Sequence, residues 1–279
     1  MNNEINQVIE EEGAIVWKSI IGLLMLPLIT LVVVPWFAYT VGFTKADYMC
    51  LLGFYILTGI SITMGYHRLW SHKTYKANKF VSNVLMIFGT AALQNSILQW
   101  ASDHRKHHKD VDDPIKDPYA ATRGFWYSHF TWLFKYNNEE VQEICGVNDL
   151  MKDKAVVFQH KHYTILAILT CLGLPALTGF IFGFASEGTL SAALWRALSF
   201  MLLGGLVRVT LVHHATFCIN SLAHILGSQP YSTKNTARDS FITALVTGGE
   251  GYHNYHHAFG GDYRNGIRWF DFDPSKWLI

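Results

Sequence analysis

Between Lys18 and Lys45 the chain runs for 26 residues without a charge, and between Asp47 and Arg68 for another 20. A helix needs about 20 apolar residues to cross a hydrocarbon core about 30 Å thick. Both runs meet that length. A third extends from Tyr163 to Ser186, and a fourth, over about 190–212, carries Arg196 and Arg208 near its ends. Long basic side chains placed there can reach the polar boundary. With no water in the bilayer to satisfy backbone groups, such runs must be helical. The spans are therefore expected at about 19–43, 48–67, 163–185 and 190–212. Pro27 and Pro35 kink the first without forbidding it. Composition agrees, since 50% of the 279 residues are hydrophobic and 15% charged, against about 25% charged in soluble domains. The opening MNNEINQVIEEE is acidic and lacks the basic start of a secretory signal, so the first span is expected to be a retained anchor.

The connections TKAD and ASEGT are short and predict two hairpins. The segment 65–159 is rich in Lys and Arg, which places it in the cytoplasm, together with both termini. The fold class expected is an all-α integral membrane protein forming one domain. Four transmembrane helices in two hairpins carry a cytoplasmic helical cap built from 68–160 and 213–279. The host membrane is a bacterial inner membrane or the endoplasmic reticulum. A net charge of +1 with no basic domain excludes nucleic acid as the main partner. Cys50, Cys145, Cys171 and Cys218 are scattered, which suggests neither a disulfide framework nor a zinc knuckle.

All 14 histidines lie at or after position 67. They gather in HRLWSH, HRKHH and HNYHH, with more in HHATFCINSLAH. On a helix, positions i, i+3 and i+4 share one face within about 100°. His104, His107 and His108 therefore present three imidazoles toward one centre, and so do His253, His256 and His257. His67 and His72 are separated by roughly 140° on an ideal helix. That pair suits a helix end, or two ligands approaching two metals. His129, His160 and His162 read as surface or hydrogen-bonded side chains. Residues Phe80–Ser102 are uncharged too, but if they spanned, His104 would sit a bilayer away from His67 and His72. That run is expected at the interface or re-entrant.

Eight histidines without nearby cysteine fit a structural zinc site poorly. Imidazole suits iron, copper, zinc and nickel. Eight or nine neutral ligands can serve two metals with an open position each, which suits oxygen chemistry. Asp103, Asp110, Asp112, Asp113 and Glu250 are candidates to orient the rings by accepting their N–H bonds. Asp103 and Glu250 are the choices kept, and the aspartates of 110–117 stay unassigned. Arg105 and Lys106 fall between ligands and are expected to face away, toward an anionic head group or an electron donor.

GYHRLWSH, QNSILQWASDHRKHH, NSLAHILG and GEGYHNYHHAFGGDYRNG resemble the acyl-CoA delta-9 desaturases, the stearoyl-CoA desaturase family, in its short bacterial form. The resemblance covers about 60–272. It implies a di-iron centre bound by His67, His72, His104, His107, His108, His224, His253, His256 and His257, with Asn220 reaching a metal through water. It also implies that Gln94, Asn95, Trp100 and Thr216 line a kinked acyl tunnel and that Arg123 lies near the coenzyme A end. His213 and His214 stand where the family has other residues and are left out of the ligand set. Ser102 stands where animal members have an arginine facing the coenzyme A phosphates. No HPGG-type haem segment is present, so the resemblance implies a separate electron-transfer protein, of ferredoxin, rubredoxin or cytochrome b5 type.

The implied reaction is oxygen-dependent introduction of a cis double bond at carbon 9 of a saturated acyl chain, with acyl-CoA the expected substrate. An unactivated methylene offers no acidic proton, so a metal–oxygen species must do this work. The alternatives are an acyl-lipid desaturase, a membrane di-iron hydroxylase, and a metal transporter or sensor. The transporter is disfavoured because the spans carry almost no ionisable residue at mid-depth.

Overall fold

The computed structural model describes residues 15–134 and 143–279, and the acidic opening stretch lies outside them. Among the described residues the chain is helical, with isolated bridges at Ser228–Asp239 and Asp239–Tyr252 and no strand. We number the helices α1 (Trp17–Thr40), α2 (Lys45–Ser71), α3 (Lys79–Thr90), α4 (Ile97–Lys109), α5 (Phe125–His129) and α6 (Lys154–Lys161). They continue as α7 (Tyr163–Glu187), α8 (Leu190–His224), α9 (Phe241–Thr247), α10 (His253–Ala258) and α11 (Pro274–Leu278). Helices α1, α2, α7 and α8 are long and apolar enough to cross a membrane. Leu24, Leu28, Leu31 and Val32 of α1 are exposed, as side chains that face lipid are.

Helix α2 starts where Asp47 accepts from the Thr44 backbone N–H at 2.6 Å and from its hydroxyl at 2.8 Å. The same buried carboxylate accepts from Arg196 Nη1 at 2.7 Å and Ser199 Oγ at 2.5 Å, tying α2 to α8. Arg196 therefore spends its charge on Asp47. Helices α7 and α8 approach closely across Gly188 and Thr189. A Cβ at Gly179 would lie 2.4 Å from Arg196 O, and one at Gly183 would lie 2.7 Å from Ala192 O. Small residues four apart permit this contact, which dispersion then stabilises.

Three membrane-length helices contain π-helical turns, at Ser61–Ser71, Leu169–Gly173 and Met201–Val207. Helix α8 does not stop near 212 but continues through Asn220 and ends in a 3₁₀ turn at Leu222–His224. Arg208 consequently lies inside the helix, fully buried, and does not reach for a polar boundary.

The uncharged run after Phe80 is broken. Helix α3 has 12 residues, about 18 Å at 1.5 Å per residue and too short to cross. Asn78 caps its start through Val81 N at 2.9 Å. The backbone reverses through Leu93 and Asn95, both at positive φ (53° and 70°), and Ser96 caps α4 through Gln99 N at 3.3 Å. Helix α4 then lies along the π-helical end of α2. Tyr66, Trp70, Ile97, Leu98, Ala101, Val147 and Val156 form the core between them. Each large apolar side chain buried there contributes roughly 2 kcal/mol. That core fixes the two helices carrying four of the nine expected ligands, with a fifth, His72, directly after α2.

Candidate metal centre

His67, His72, His104, His108 and His256 form one group, and His107, His224, His253 and His257 another. Within each group the candidate ligand nitrogens lie within 4.8 Å of one another. The division follows from helix geometry. On α4, His104 and His108 are about 40° apart, whereas His107 sits about 100° from His108. The first pair faces one group and His107 the other. Helix α10 repeats this, with His253 and His257 together and His256 across from them. The expectation that each HxxHH box serves one centre is thus corrected, for each box is shared between two.

His67 and His72 join the same group, with ring centroids 4.8 Å apart. His72 N donates to His67 O at 3.0 Å, an i+5 bond of π-helical type. That wider turn brings residues five apart into one column, so the 140° separation of an α-helix does not apply.

Three outer ring nitrogens lie beside acceptors, whereas Nδ1 of His253 and of His256 has no hydrogen-bond partner among the described residues. His107 Nδ1 lies 2.9 Å from each oxygen of Asp117, a buried carboxylate that also accepts from Asp112 N and Tyr119 N. His67 Nδ1 lies 2.9 Å from Glu250 Oε2, and Arg68 Nη2 lies 3.2 Å from Glu250 Oε1. His224 Nδ1 lies 2.8 Å from Thr236 Oγ1, whose hydroxyl donates to Asp112 Oδ1 at 2.7 Å. Such partners hold the proton on Nδ1 and leave the Nε2 lone pair facing inward.

These inner nitrogens crowd one another. Nε2–Nε2 distances are 2.7 Å for His72–His104, 2.9 Å for His108–His256 and 3.0 Å for His67–His256. In the second group they are 3.1 Å for His253–His257 and 3.2 Å for His107–His257. Burial, reinforced by neighbouring imidazoles, pushes His72, His104, His108, His253, His256 and His257 well below the usual histidine range. These six rings are therefore neutral. His224 Nε2 is buried without a hydrogen-bond partner among the described residues. Converging lone pairs repel unless a cation sits among them. Imidazole–metal bonds of about 2.1 Å at right angles place donors about 3 Å apart, so both groups fit a metal ion.

The remaining residues sort by contact. Glu250 lies beside His67; burial raises its carboxyl, but Arg68 and His67 outweigh that and hold it below the usual range. Asp103 instead accepts from Gln99 Nε2 at 3.0 Å, and burial pushes its carboxyl up to about 7. Asp117, absent from the expected orienting set, contacts His107 directly. Its sequence signal was faint: an Asp-Pro step ten residues on, after the turn at Asp110–Asp113 reverses the chain. Asp113 caps that turn through Ile115 N and Lys116 N. Arg105 is not free for a partner, since it binds Ser71 O, Trp70 O, Gly146 O and Asp149. Lys106 Nζ donates to Glu143 O. Ser102 is buried and accepts from Cys145 N at 3.0 Å. His129, expected at the surface or hydrogen-bonded, is buried and pairs with Ser221 Oγ and His214.

A cavity of about 320 Å³ reaches both groups through His67, His104, His107 and His253. Its wall includes Gln94, Asn95, Trp100, Thr216 and Asn220, and Leu23 and Leu26 of α1 close one side. Trp100 stacks on His104 at 4.9 Å, and Gln94 Nε2 donates to Thr216 Oγ1 at 2.8 Å. Arg123 is not among the lining residues; its guanidinium lies over the Tyr127 ring at 3.7 Å.

Residues 46–274 match the fatty acid desaturase family. The chain belongs to that family. It is 46% identical to a probable acyl-CoA desaturase of Schizosaccharomyces pombe over 81% of this chain and 45% of the relative. It is 43% identical to acyl-CoA desaturase 1 of Saccharomyces cerevisiae, over 81% of this chain and 42% of the relative. Stearoyl-CoA desaturase 5 of Bos taurus is 35% identical over 95% of this chain and 76% of its own length. The chain thus spans less than half of the two fungal relatives. The stretch that matches the desaturase family contains all the histidines of both groups.

Proposed function

We propose that this chain is an oxygen-dependent di-iron desaturase that introduces a cis double bond at carbon 9 of a saturated fatty acyl chain carried on coenzyme A. The observation that carries this reading is one cavity meeting two all-histidine groups whose ring nitrogens converge. The names of the relatives support the substrate class, and the position is supported by the name of delta(9)-fatty-acid desaturase fat-7 of Caenorhabditis elegans, 42% identical over 75% of this chain and 60% of the relative. The nine grouped histidines are the proposed ligands, and Asn220, lining the cavity beside them, the proposed partner of a metal-bound water. When bound, iron supplies the oxygen activation that an unactivated methylene requires, with dioxygen as oxidant and electrons from a separate electron-transfer protein.

This chain's residues do the rest. Glu250 and Asp117 fix the rings of His67 and His107 in one tautomer. Leu23, Leu26, Ile62, Leu93 and Trp100 give the acyl chain an apolar wall. A methylene chain has no group near its reacting carbon to be recognised, so depth in the cavity selects the position. The basic segment 65–159 supports a cytoplasmic site with the spans in the bilayer. The test is fatty acid analysis of cells expressing the wild type or His107→Ala. Equal monounsaturated content in both sinks the proposal, and an alcohol product turns it into a hydroxylase. Purified enzyme offered acyl-CoA and acyl-lipid substrates in parallel identifies the carrier.

A further inference from the structure

We infer that His213 and Arg208 are positioning residues that clamp the chain reversal at residues 91–96, and that this clamp sets which carbon of the acyl chain faces the metal centre. The inference rests on the desaturase reading for its consequence, but not for its geometry.

Helix α3 ends at Thr90, and the next three N–H groups turn back on it. Ala91 N bonds to Ile87 O, Ala92 N to Gly89 O, and Leu93 N to Thr90 O. The carbonyls of Ala91 and Ala92 are the next to need partners, and both residues are fully buried. A buried carbonyl left unpaired is costly. Helix α8 supplies both donors: Arg208 Nη1 reaches Ala91 O at 2.6 Å, and His213 Nε2 reaches Ala92 O at 2.8 Å. Arg208 also donates to Cys171 Sγ at 3.5 Å, and its other backbone contacts go to Gly204 O at 2.9 Å and Cys171 O at 3.1 Å. Both carbonyls belong to π-helical segments. Its guanidinium is thus committed to backbone from three elements.

The reversal needs such support. Leu93 and Asn95 adopt φ of 53° and 70°, a region that costs non-glycine residues free energy unless their surroundings impose it. The far side is gripped too, by His160 Nδ1 on Ser96 Oγ at 2.7 Å and by Gln159 Oε1 on Ile97 N at 3.1 Å. Between the two grips lie Leu93, Gln94 and Asn95, all facing the cavity. Thr216, which accepts from Gln94, stands one helical turn beyond His213 on α8. One residue of that face holds the backbone of the corner and another holds its side chain. Helix α8 also ends in His224, so the corner and a candidate metal ligand are referenced to one element. Loosening the corner allows the acyl chain to slip relative to the histidines.

The experiment uses the full chain in membranes, as wild type, His213→Leu and His213→Gln, with double-bond position read by mass spectrometry and metal content measured. Losing one hydrogen bond at the corner is expected to raise the share of displaced double bonds about fivefold in His213→Leu. Metal content stays at the wild-type level, and His213→Gln, whose amide can donate to Ala92, restores the wild-type distribution. If His213→Leu fails to accumulate, His160→Ala, which releases Ser96, must show the same displacement. An unchanged distribution in whichever variant accumulates overturns the inference. If wild type forms no alkene, the desaturase reading has failed, and amide exchange at 91–96 decides the clamp alone. Exchange about fivefold faster in His213→Leu supports the clamp, and equal exchange refutes it.

Discussion

Replacing Asp117 with Asn removes a charge from beneath His107 while keeping the side-chain shape. Asp117 is buried and offers two oxygens to three donors: His107 Nδ1 at 2.9 Å, Asp112 N at 3.0 Å and Tyr119 N at 3.1 Å. An asparagine has one oxygen, and its amide nitrogen must then face a donor. At least one contact is lost, and the one that benefits from charge is that to His107. Hydrogen bonds to charged groups are worth about 1.5–3 kcal/mol. Loss of a partner behind a metal-bound imidazole typically lowers metal affinity about 10–100-fold, which corresponds to about 1.4–2.8 kcal/mol. The two routes agree. The loss should fall on the group of His107, His224, His253 and His257, so Asp117→Asn should release one metal per chain before the other. The assay is chelator titration of detergent-purified protein with bound metal quantified by mass spectrometry. Asp113→Asn is the control, because that carboxylate caps a turn and touches no ring. Half-release within twofold of wild type, at unchanged thermal stability, would refute the reasoning.

Three further outcomes are expected. Gly183→Val would drive a side chain into the backbone of α8, whose Ala192 O is 2.7 Å from the Cβ position; the yield of folded, monodisperse protein should collapse, and normal yield would show that α7 can shift. Trp100→Ala removes the ring stacked on His104; KM for acyl substrate should rise about tenfold or more with metal content retained, and an unchanged KM counts against Trp100 as cavity wall. Arg105 and Lys73 hold the Asp149 carboxyl well below the usual range. Because the folded value is depressed, this stabilisation is complete above the unfolded value of about 4 and is lost as pH falls below it. Asp149→Asn should therefore lower the melting temperature near neutrality and flatten its fall below about pH 4; parallel wild-type and variant curves would refute the pairing.

The apolar spans and the histidine clustering were legible because each rests on short-range pattern, uninterrupted apolar length or helical spacing. What the spacing hid was a change of helix type. His67 and His72 look mismatched at 3.6 residues per turn and align only once the end of α2 widens into π-helix. The division of each HxxHH box was present in the same arithmetic, since positions i+3 and i+4 diverge by about 100°. Whether that divergence serves one centre or two depends on what stands opposite, and only packing of α4 against α10 and α2 decides it. Asp117 was illegible for a related reason. Its approach to His107 depends on a turn whose path is set by capping contacts of Asp113 and by Asp112 φ of 68°.

Arg208 shows why ionisable residues inside membrane-length helices repay separate accounting. Its position in the sequence suggested a side chain stretching to the polar boundary, yet α8 continues past it and leaves no route there. A buried guanidinium in such a place needs its donors satisfied, and here the acceptors are backbone carbonyls in α7, in α8 itself and in the reversal after α3. Two of those carbonyls lie in π-helical turns, where the regular bonding of the helix is already altered. The charge therefore knits together departures from regular helix that an apolar side chain would leave unsatisfied. Asp47 does the analogous work at the start of α2, with Arg196 and Ser199 as its partners. Each of these ionised groups is committed to holding backbone or a neighbouring helix in place. The histidine rings, whose inner nitrogens face one another, remain the groups positioned to take a cation.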